Sequence, residues 1–214
     1  MARAKVFGIG FHKTGTTSLA AALRILGYDT IHGDPINEPP YGDEGRSLIA
    51  RIDKGNFRLP TIEHYDAFTD NPYFSIWKEL DKAYPGSQFI LTIREEEQWI
   101  NSCVKYYKGR RRRPMRIWMF GGHADPSVSE AAQQHWRSTY RQHNHSILEY
   151  FKDRPQDLLV LDITKGEGWS KLCPFLGQTI PEVAFPRENV FASYSTRERL
   201  IRKLRHWKVR FRKW

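Results

Sequence analysis

The 214-residue chain has few cysteines and no long apolar segment. Its two cysteines, Cys103 and Cys173, lie far apart in predicted helices, which favours buried reduced thiols over a disulfide. Because no run of about 18 apolar residues is present, the sequence predicts no helix that crosses a bilayer. The first apolar run follows residues 2–5 directly and is interrupted by Gly8 and Gly10, a pattern that does not fit a signal peptide. We therefore expect a cytoplasmic protein.

Acidic residues are absent from one strongly basic stretch and nearly absent from another. Residues 105–116 contribute +7 and residues 195–214 contribute +8 to a net charge of +10, so the rest of the chain is mildly acidic at −5. A general nucleic-acid-binding protein spreads basic side chains over its folded surface, so this distribution argues against nucleic acid as a partner. The four arginines at 110–113 either contact an anionic ligand or form a solvated loop.

Strand and helix patterns alternate along most of the chain. Strands are predicted at residues 6–11, 28–31, 88–93 and 157–163. Helices are predicted before Gly27 and at residues 74–84, 95–107, 127–153, 167–176 and 195–214, with an irregular glycine-rich stretch after the arginines. This alternation predicts an α/β fold of three layers, with a central parallel sheet flanked by helices. We expect one domain, residues 1–194, and a basic amphipathic helix, residues 195–214, as an appendage.

A glycine-bearing loop joins the first strand to the first helix. Gly10 and Gly15 frame the loop, and backbone N–H groups at the start of a helix form a ready anion site. The spacing of the two glycines imitates the nucleoside-triphosphate P-loop, but Thr16 stands where that motif has lysine, and the loop lysine is Lys13. A magnesium-dependent kinase also needs an aspartate after a nearby strand, and Asp162 is the only weak candidate. A P-loop kinase therefore remains an alternative rather than the first interpretation.

The segment His12-Lys13-Thr14-Gly15-Thr16-Thr17-Ser18 resembles the 5′-phosphosulfate loop of sulfotransferases that use 3′-phosphoadenosine 5′-phosphosulfate (PAPS). Arg94, after the strand at 88–93, and Ser102, eight residues later, resemble the 3′-phosphate site of that family. Residues 167–177 and 185–189 resemble the C-terminal half of its bacterial-type branch. The resemblance covers roughly residues 5–190 and implies a P-loop-like sulfotransferase fold.

The resemblance implies an enzyme that transfers the sulfuryl group of PAPS to a hydroxyl or amine and releases the bisphosphate product PAP, with no metal required. Lys13 would stabilise the leaving phosphate, and Arg94 with Ser102 would bind the 3′-phosphate. His12 would contact the sulfate or support the loop. The donor's 5′ end would be bound by the other loop residues, Thr14, Gly15, Thr16, Thr17 and Ser18.

Three residues are candidates for the base that takes the acceptor's proton. Asp70 ranks first, because it precedes Arg94 by 24 residues, near where cytosolic family members carry a catalytic histidine. His32 ranks second and Asp34 third, since they follow Lys13 by 19 and 21 residues, where other branches carry a glutamate. Asp70 can instead cap the following helix, because Asp-Asn-Pro is a strong turn signal.

The sequence leaves the acceptor open among small molecules, lipids and carbohydrates, and the Pro- and Gly-rich residues 33–45 predict a surface loop near its site. The C-terminal helix can pack its apolar stripe on the domain, pair two subunits in a homodimer, or lie on an anionic membrane surface. His143 and His145 lack metal-ligand spacing to a second pair. A non-catalytic PAP- or anion-binding protein that contacts membrane or nucleic acid through its basic tail is the alternative of a different class.

Overall fold

The computed structural model describes residues 3–33, 46–110 and 112–188, and its five short strands form one parallel sheet. The strand order is β2-β3-β1-β4-β5, so β1 lies at the centre with β3 on one side and β4 on the other. The strands are β1 (Val6–Gly8), β2 (Thr30–His32), β3 (Ala67–Thr69), β4 (Gln88–Thr92) and β5 (Leu158–Leu161). Parallel pairing throughout means that all five carboxyl ends meet at one edge of the sheet.

Eight α-helices lie in the described part of the chain. They are α1 (Thr16–Ile25), α2 (Arg46–Asp53), α3 (Pro60–His64), α4 (Trp77–Ala83), α5 (Glu96–Tyr107), α6 (Pro114–Phe120), α7 (Glu130–Phe151) and α8 (Trp169–Phe175). None of them combines the length and the apolar character needed to cross a membrane.

The two faces of the sheet bury alternate strand residues against different helices. Phe7 packs in one cluster with Trp77 of α4 and Phe151 of α7, whereas its neighbour Val6 packs in another cluster with helices α1 and α8. Side chains that alternate in this way are typical of a sheet covered on both faces. The structure therefore confirms the predicted α/β fold with a central parallel sheet flanked by helices.

The structure corrects the sequence prediction in several segments. Strand β3 is absent from the prediction, because three residues between two paired strands are too few to show a period. The stretch after the arginines, which was predicted to be irregular, contains α6. This helix begins at Pro114 and is followed by Gly121, whose φ of 55° suits glycine. Helices α2 and α3 were also not predicted. The predicted helix at 74–84 is instead a 3₁₀ turn, Tyr73–Ser75, followed by α4.

Cys103 and Cys173 are both buried free thiols, as expected. The proposed loop residues 34–45, the predicted helix at 195–214 and the domain boundary at residue 194 lie outside the described residues. Those predictions stay predictions.

Strand β1 leaves the sheet at a close approach to β4. The Ile9 N–H donates to the Ile90 carbonyl at 2.8 Å, and a Cβ atom at Gly10 would overlap both the backbone and the hydroxyl of Thr92. Only glycine fits at residue 10 without displacing β4, so this residue sets where the following loop begins.

Gly10→Ala is expected to lower the free energy of unfolding by about 1–3 kcal/mol, because the added methyl group overpacks the contact with Thr92. Gly122→Ala is the matched control, since a Cβ atom there has no neighbour within 4 Å, and its effect should stay within about 0.5 kcal/mol. Urea unfolding of both variants makes the comparison. Equal midpoints for the two would contradict the close approach.

Two histidines with lowered pKa values lie next to this part of the fold. The imidazole of His143 on α7 is hydrogen-bonded through Nε2 to the Ile9 carbonyl at 2.8 Å, and its ring packs edge-on against Phe11. Burial lowers the pKa of His143, and also that of His12 in the loop, to about 4. Because both values lie below the ordinary 6.5, the unfolded chain binds these protons more tightly than the folded protein.

Stability is therefore expected to fall as the pH drops below about 6.5 towards 4. His143→Gln keeps a donor for the Ile9 carbonyl and removes the titration, so it should reduce the loss of stability between pH 7 and pH 5 by about 2 kcal/mol. Urea unfolding across this range measures the difference. The exposed His145→Gln on the same helix is the control, and a slope unchanged by His143→Gln would refute the assignment.

Candidate functional site

The carboxyl ends of four strands meet in one cleft of about 1190 Å³. The loop after β1, His32 at the end of β2, Asp70 after β3 and Arg94 after β4 all line it. In open parallel sheets, ligands bind outside the carboxyl ends of the strands, at the point where the chain leaves in different directions. The cleft therefore occupies the position in which this fold class binds its ligands.

The loop after β1 holds its carbonyl groups on neighbouring elements. The Trp99 indole N–H donates to the His12 carbonyl at 2.9 Å, and Arg94 Nη1 donates to the Lys13 carbonyl at 3.4 Å. Lys13 and Gly15 adopt left-handed φ values of 70° and 103°, and α1 begins at Thr16. The first N–H groups of a helix have no acceptor within that helix. The loop therefore offers N–H donors to a ligand, while the carbonyls of His12 and Lys13 are already bound by other groups. This arrangement suits an anion.

The hydroxyl groups of the loop have different surroundings. Thr14 is fully buried and does not line the cleft; its Oγ1 donates to the Phe11 carbonyl and pairs with Thr92 Oγ1 at 2.7 Å. Thr16, Thr17 and Ser18 do line the cleft, and Ser18 Oγ accepts a hydrogen bond from the Glu188 N–H at 2.9 Å. The Thr14 side chain therefore anchors the loop. The hydroxyls of Thr16, Thr17 and Ser18 lie at the cleft and are already hydrogen-bonded, to Asp70, His32 and the Glu188 N–H.

The Lys13 ammonium lies 4.4 Å from the centre of the Tyr106 ring. Burial lowers the pKa of Lys13, and the nearby positive charges of Arg94 and Arg110 act in the same direction. A partly desolvated ammonium gains more from a negative partner than one in open water. Lys13 was predicted to stabilise the leaving group, and its partly buried surroundings strengthen its attraction for an anion.

Two of the three candidate bases lie side by side. Asp70 Oδ2 is 3.8 Å from His32 Nε2 and accepts a hydrogen bond from Thr16 Oγ1 at 3.3 Å. Burial lowers the pKa of His32, although the negative charge of Asp70 opposes the shift. His32 Nδ1 pairs with Thr69 Oγ1 at 2.7 Å, which fixes the ring at the end of β3.

Asp70 has two structural roles at once. Its Oδ1 accepts from the Asn71 N–H at 2.8 Å, while Oδ2 faces the loop. The predicted helix cap is wrong, because neither Tyr73–Ser75 nor α4 has a side-chain cap; the turn is closed instead by the Tyr73 N–H, which donates to the Asp70 carbonyl at 3.0 Å. The turn and the base are therefore compatible, and the catalytic role of Asp70 or His32 stays a prediction. Asp34 lies outside the described residues.

Arg94 is held by its backbone and offers its guanidinium to the cleft. The Tyr140 hydroxyl accepts from the Arg94 N–H at 2.9 Å and donates to its carbonyl at 2.8 Å. Within the described residues Arg94 forms no ion pair, and its buried Nε has no hydrogen-bond partner. Ser102 of α5 lines the same cleft. A buried guanidinium nitrogen without a partner marks a site where an anion would be stabilised.

The cleft contains more cations than the sequence prediction assigned. Seven basic side chains line it, namely Lys13, Arg94, Lys105, Arg110, Arg113, Arg116 and Arg187, against the carboxylates of Asp70 and Glu188. Two arginines of the run at 110–113, Arg110 and Arg113, line the cleft. Arg112 does not line it, and Arg111 lies outside the described residues. Arg116 belongs to the basic stretch 105–116 and Arg187 to the family-like segment 185–189, but the sequence assigned neither to the cleft, because only the folding of α6 and of the chain after α8 brings them here.

Asp162, the candidate for the magnesium-binding aspartate of a kinase, does not line the cleft. Asp162 is 5% exposed, and its Oδ1 accepts hydrogen bonds from the backbone N–H groups of Thr164 and Lys165. It caps the 3₁₀ turn Ile163–Lys165, of which Ile163 and Thr164 line the cleft although Asp162 does not. Among the described residues, His, Cys, Asp and Glu form no group of three or more that could hold a metal ion.

Comparison with known proteins agrees with this geometry. A family model described as a sulfotransferase domain matches residues 5–194. The protein named Ava biosynthesis cluster protein M, from Aspergillus versicolor, is 25% identical over 224 residues, which cover 85% of this chain and 79% of that protein. The family match spans most of the chain and supports a sulfotransferase-type activity, so the predicted family is confirmed. The chain belongs to the sulfotransferase domain family.

Proposed function

We propose that this protein transfers the sulfuryl group of PAPS to a hydroxyl or amine and releases PAP. The observation that carries the proposal is the pairing of two anion sites across one cleft. The loop from Lys13 to Ser18 offers N–H groups and an ammonium, and Arg94 offers a buried guanidinium nitrogen without a partner. A nucleotide with phosphates at both its 5′ and 3′ positions needs two such sites.

The residues present fit this donor. The N-terminus of α1 and the hydroxyls of Thr16, Thr17 and Ser18 would hold the 5′ end, and Arg94 with Ser102 would hold the 3′-phosphate. PAPS supplies a sulfuryl group bonded to a phosphate oxygen that can leave. In this proposal cationic side chains, rather than a metal ion, neutralise the charge on that oxygen.

Lys13 and Asp70 divide the chemistry between them. The acceptor oxygen or nitrogen forms a bond to sulfur, the bond between sulfur and the bridging oxygen breaks, and its electron pair stays on the phosphate of PAP. The Lys13 ammonium stabilises the negative charge that develops there, which is greatest in the transition state. The acceptor's proton goes to Asp70 Oδ2, which a hydrogen bond from Thr16 Oγ1 at 3.3 Å helps to hold in place.

Lys13→Ala is expected to lower kcat by about 10²–10³-fold, the usual effect of removing one group that stabilises a developing oxyanion. The assay follows radiolabelled sulfate from PAPS into a broad panel of acceptors. Lys108→Ala is the control, because Lys108 is exposed and does not line the cleft. Binding of PAP without any transfer, together with no effect of Lys13→Ala, would favour the non-catalytic binding protein instead.

PAP is expected to stabilise the protein more than Mg-ATP does, because the proposed site binds phosphates at both the 5′ and 3′ positions. A ligand at about 100 times its Kd adds about 2.7 kcal/mol to the free energy of unfolding. Arg94→Ala should weaken binding of PAP by about tenfold or more and should weaken 5′-AMP, which lacks the 3′-phosphate, clearly less, because only the loss of the bond to the Lys13 carbonyl acts on the 5′ site. Thermal-shift titrations compare the three nucleotides, with the exposed Arg112→Ala as control. Stronger stabilisation by Mg-ATP than by PAP would favour the kinase.

A further inference from the structure

One buried histidine of the cleft has no polar partner. The His12 side chain is 5% exposed and lines the cleft, and neither of its ring nitrogens forms a hydrogen bond with the described residues. A neutral imidazole carries one N–H donor and one acceptor nitrogen. Leaving both without a partner inside a protein costs free energy, and such a group is kept where it has a further role.

The packing around His12 is aromatic and does not require an imidazole. Aromatic rings surround it at centre-to-centre distances of 5.4–6.4 Å, namely those of Phe11, Phe74, Trp99, Tyr107, Phe120 and Trp136. The two indole N–H groups among them already donate to backbone carbonyls, those of His12 and His123. A phenylalanine ring at residue 12 would make the same kind of contacts, so packing alone does not explain a polar ring there.

The loop does not use the imidazole either. The loop is held through the His12 backbone carbonyl, which accepts from the Trp99 indole at 2.9 Å, and any residue at this position supplies that carbonyl. His143, a buried histidine that does not line the cleft, has a protein partner, since its Nε2 is hydrogen-bonded to the Ile9 carbonyl at 2.8 Å. Support of the loop, one of the two roles expected for His12, therefore leaves its ring nitrogens unexplained.

His12 lies close to both ends of the proposed transfer. Burial lowers the pKa of His12 to about 4, the negative charge of Asp70 opposes that shift, and the positive charge of Lys13 adds to it. Both charged groups are therefore near the ring, which is neutral at pH 7. In the proposed function the sulfuryl group passes from an oxygen beside Lys13 to an acceptor beside Asp70. Its path thus lies next to the imidazole.

We infer that His12 binds the sulfuryl group during transfer, with its ring N–H donating a hydrogen bond to a sulfuryl oxygen. Such a bond to an anionic oxygen is stronger than one between neutral groups. The imidazole exchanges no proton in this role, so the bonds that form and break stay as described for the proposed function. The inference rests on that function and adds a residue that distinguishes PAPS from PAP.

A comparison of PAPS with PAP separates this role from a role in the loop, because PAP lacks the sulfuryl group. His12→Phe should weaken binding of PAPS by about tenfold and leave the Kd of PAP nearly unchanged. Calorimetry without an acceptor measures both values. In the transfer assay kcat should fall by about tenfold or more, whereas the midpoint of urea unfolding should not fall, because a phenylalanine ring needs no hydrogen-bond partner among aromatic neighbours.

Two further variants and a control make the comparison specific. His12→Asn and His12→Gln place an amide N–H near the position of Nδ1 and of Nε2, so one of them should restore the preference for PAPS. Both keep the test informative if His12→Phe does not fold. Phe120→Leu is the control, since Phe120 packs against His12 and does not line the cleft. It should lower the unfolding midpoint and leave the ratio of the two Kd values unchanged.

Equal losses of affinity for PAPS and PAP in His12→Phe would overturn the inference, because they would show that His12 acts on the loop. An unchanged ratio of the two Kd values with a raised KM for the acceptor would also overturn it, and would assign His12 to the acceptor. Failure of the unmodified protein to bind either nucleotide would instead remove the proposed function.

Discussion

The site depends on the hydrogen bonds that hold the loop carbonyls away from the cleft. The Trp99 indole binds the His12 carbonyl, and the Arg94 guanidinium binds the Lys13 carbonyl. If those oxygens faced the cleft, they would repel the same anions that the N–H groups at the start of α1 attract. Both donors come from the end of β4 and the helix that follows it, so the neighbouring strand determines the polarity of the loop. Arg94 thereby serves the loop and the cleft together.

Below the loop, aromatic packing gives this arrangement its rigidity. Phe11 contacts Phe74 with ring centres 4.6 Å apart, and Trp99 stacks on Tyr140 at 4.2 Å. The Tyr140 hydroxyl then binds both the N–H and the carbonyl of Arg94. Aromatic rings in contact at these distances add about 0.5–1.5 kcal/mol per pair beyond the area that they bury. The cationic side chains of the cleft therefore project from a rigid aromatic layer, which limits the reorganisation needed when charge develops in the cleft.

The distribution of charge in the cleft distinguishes its two ends. Arg94 lies on one side of the β1 loop and Asp70 on the other. The Arg94 charge lowers the pKa of Lys13, in the loop between them, and the Asp70 charge raises it. In the proposed function, Asp70 takes the acceptor's proton and Lys13 faces the departing oxyanion.

Sequence alone was enough to predict the α/β class, the anion-binding loop and its displaced lysine, because these depend on local patterns of an apolar run and two glycines. The pairing of that loop with Arg94 was implied by the family resemblance. The sequence could not decide between Asp70 and His32, since 38 residues separate them and their contact exists only because β2 and β3 pair in parallel. It also could not place Arg116 or Arg187 in the cleft. The order of the strands and the packing of α6 bring these residues together. Both depend on contacts between side chains that are distant in sequence, and the periodicity of a local segment does not reveal such contacts.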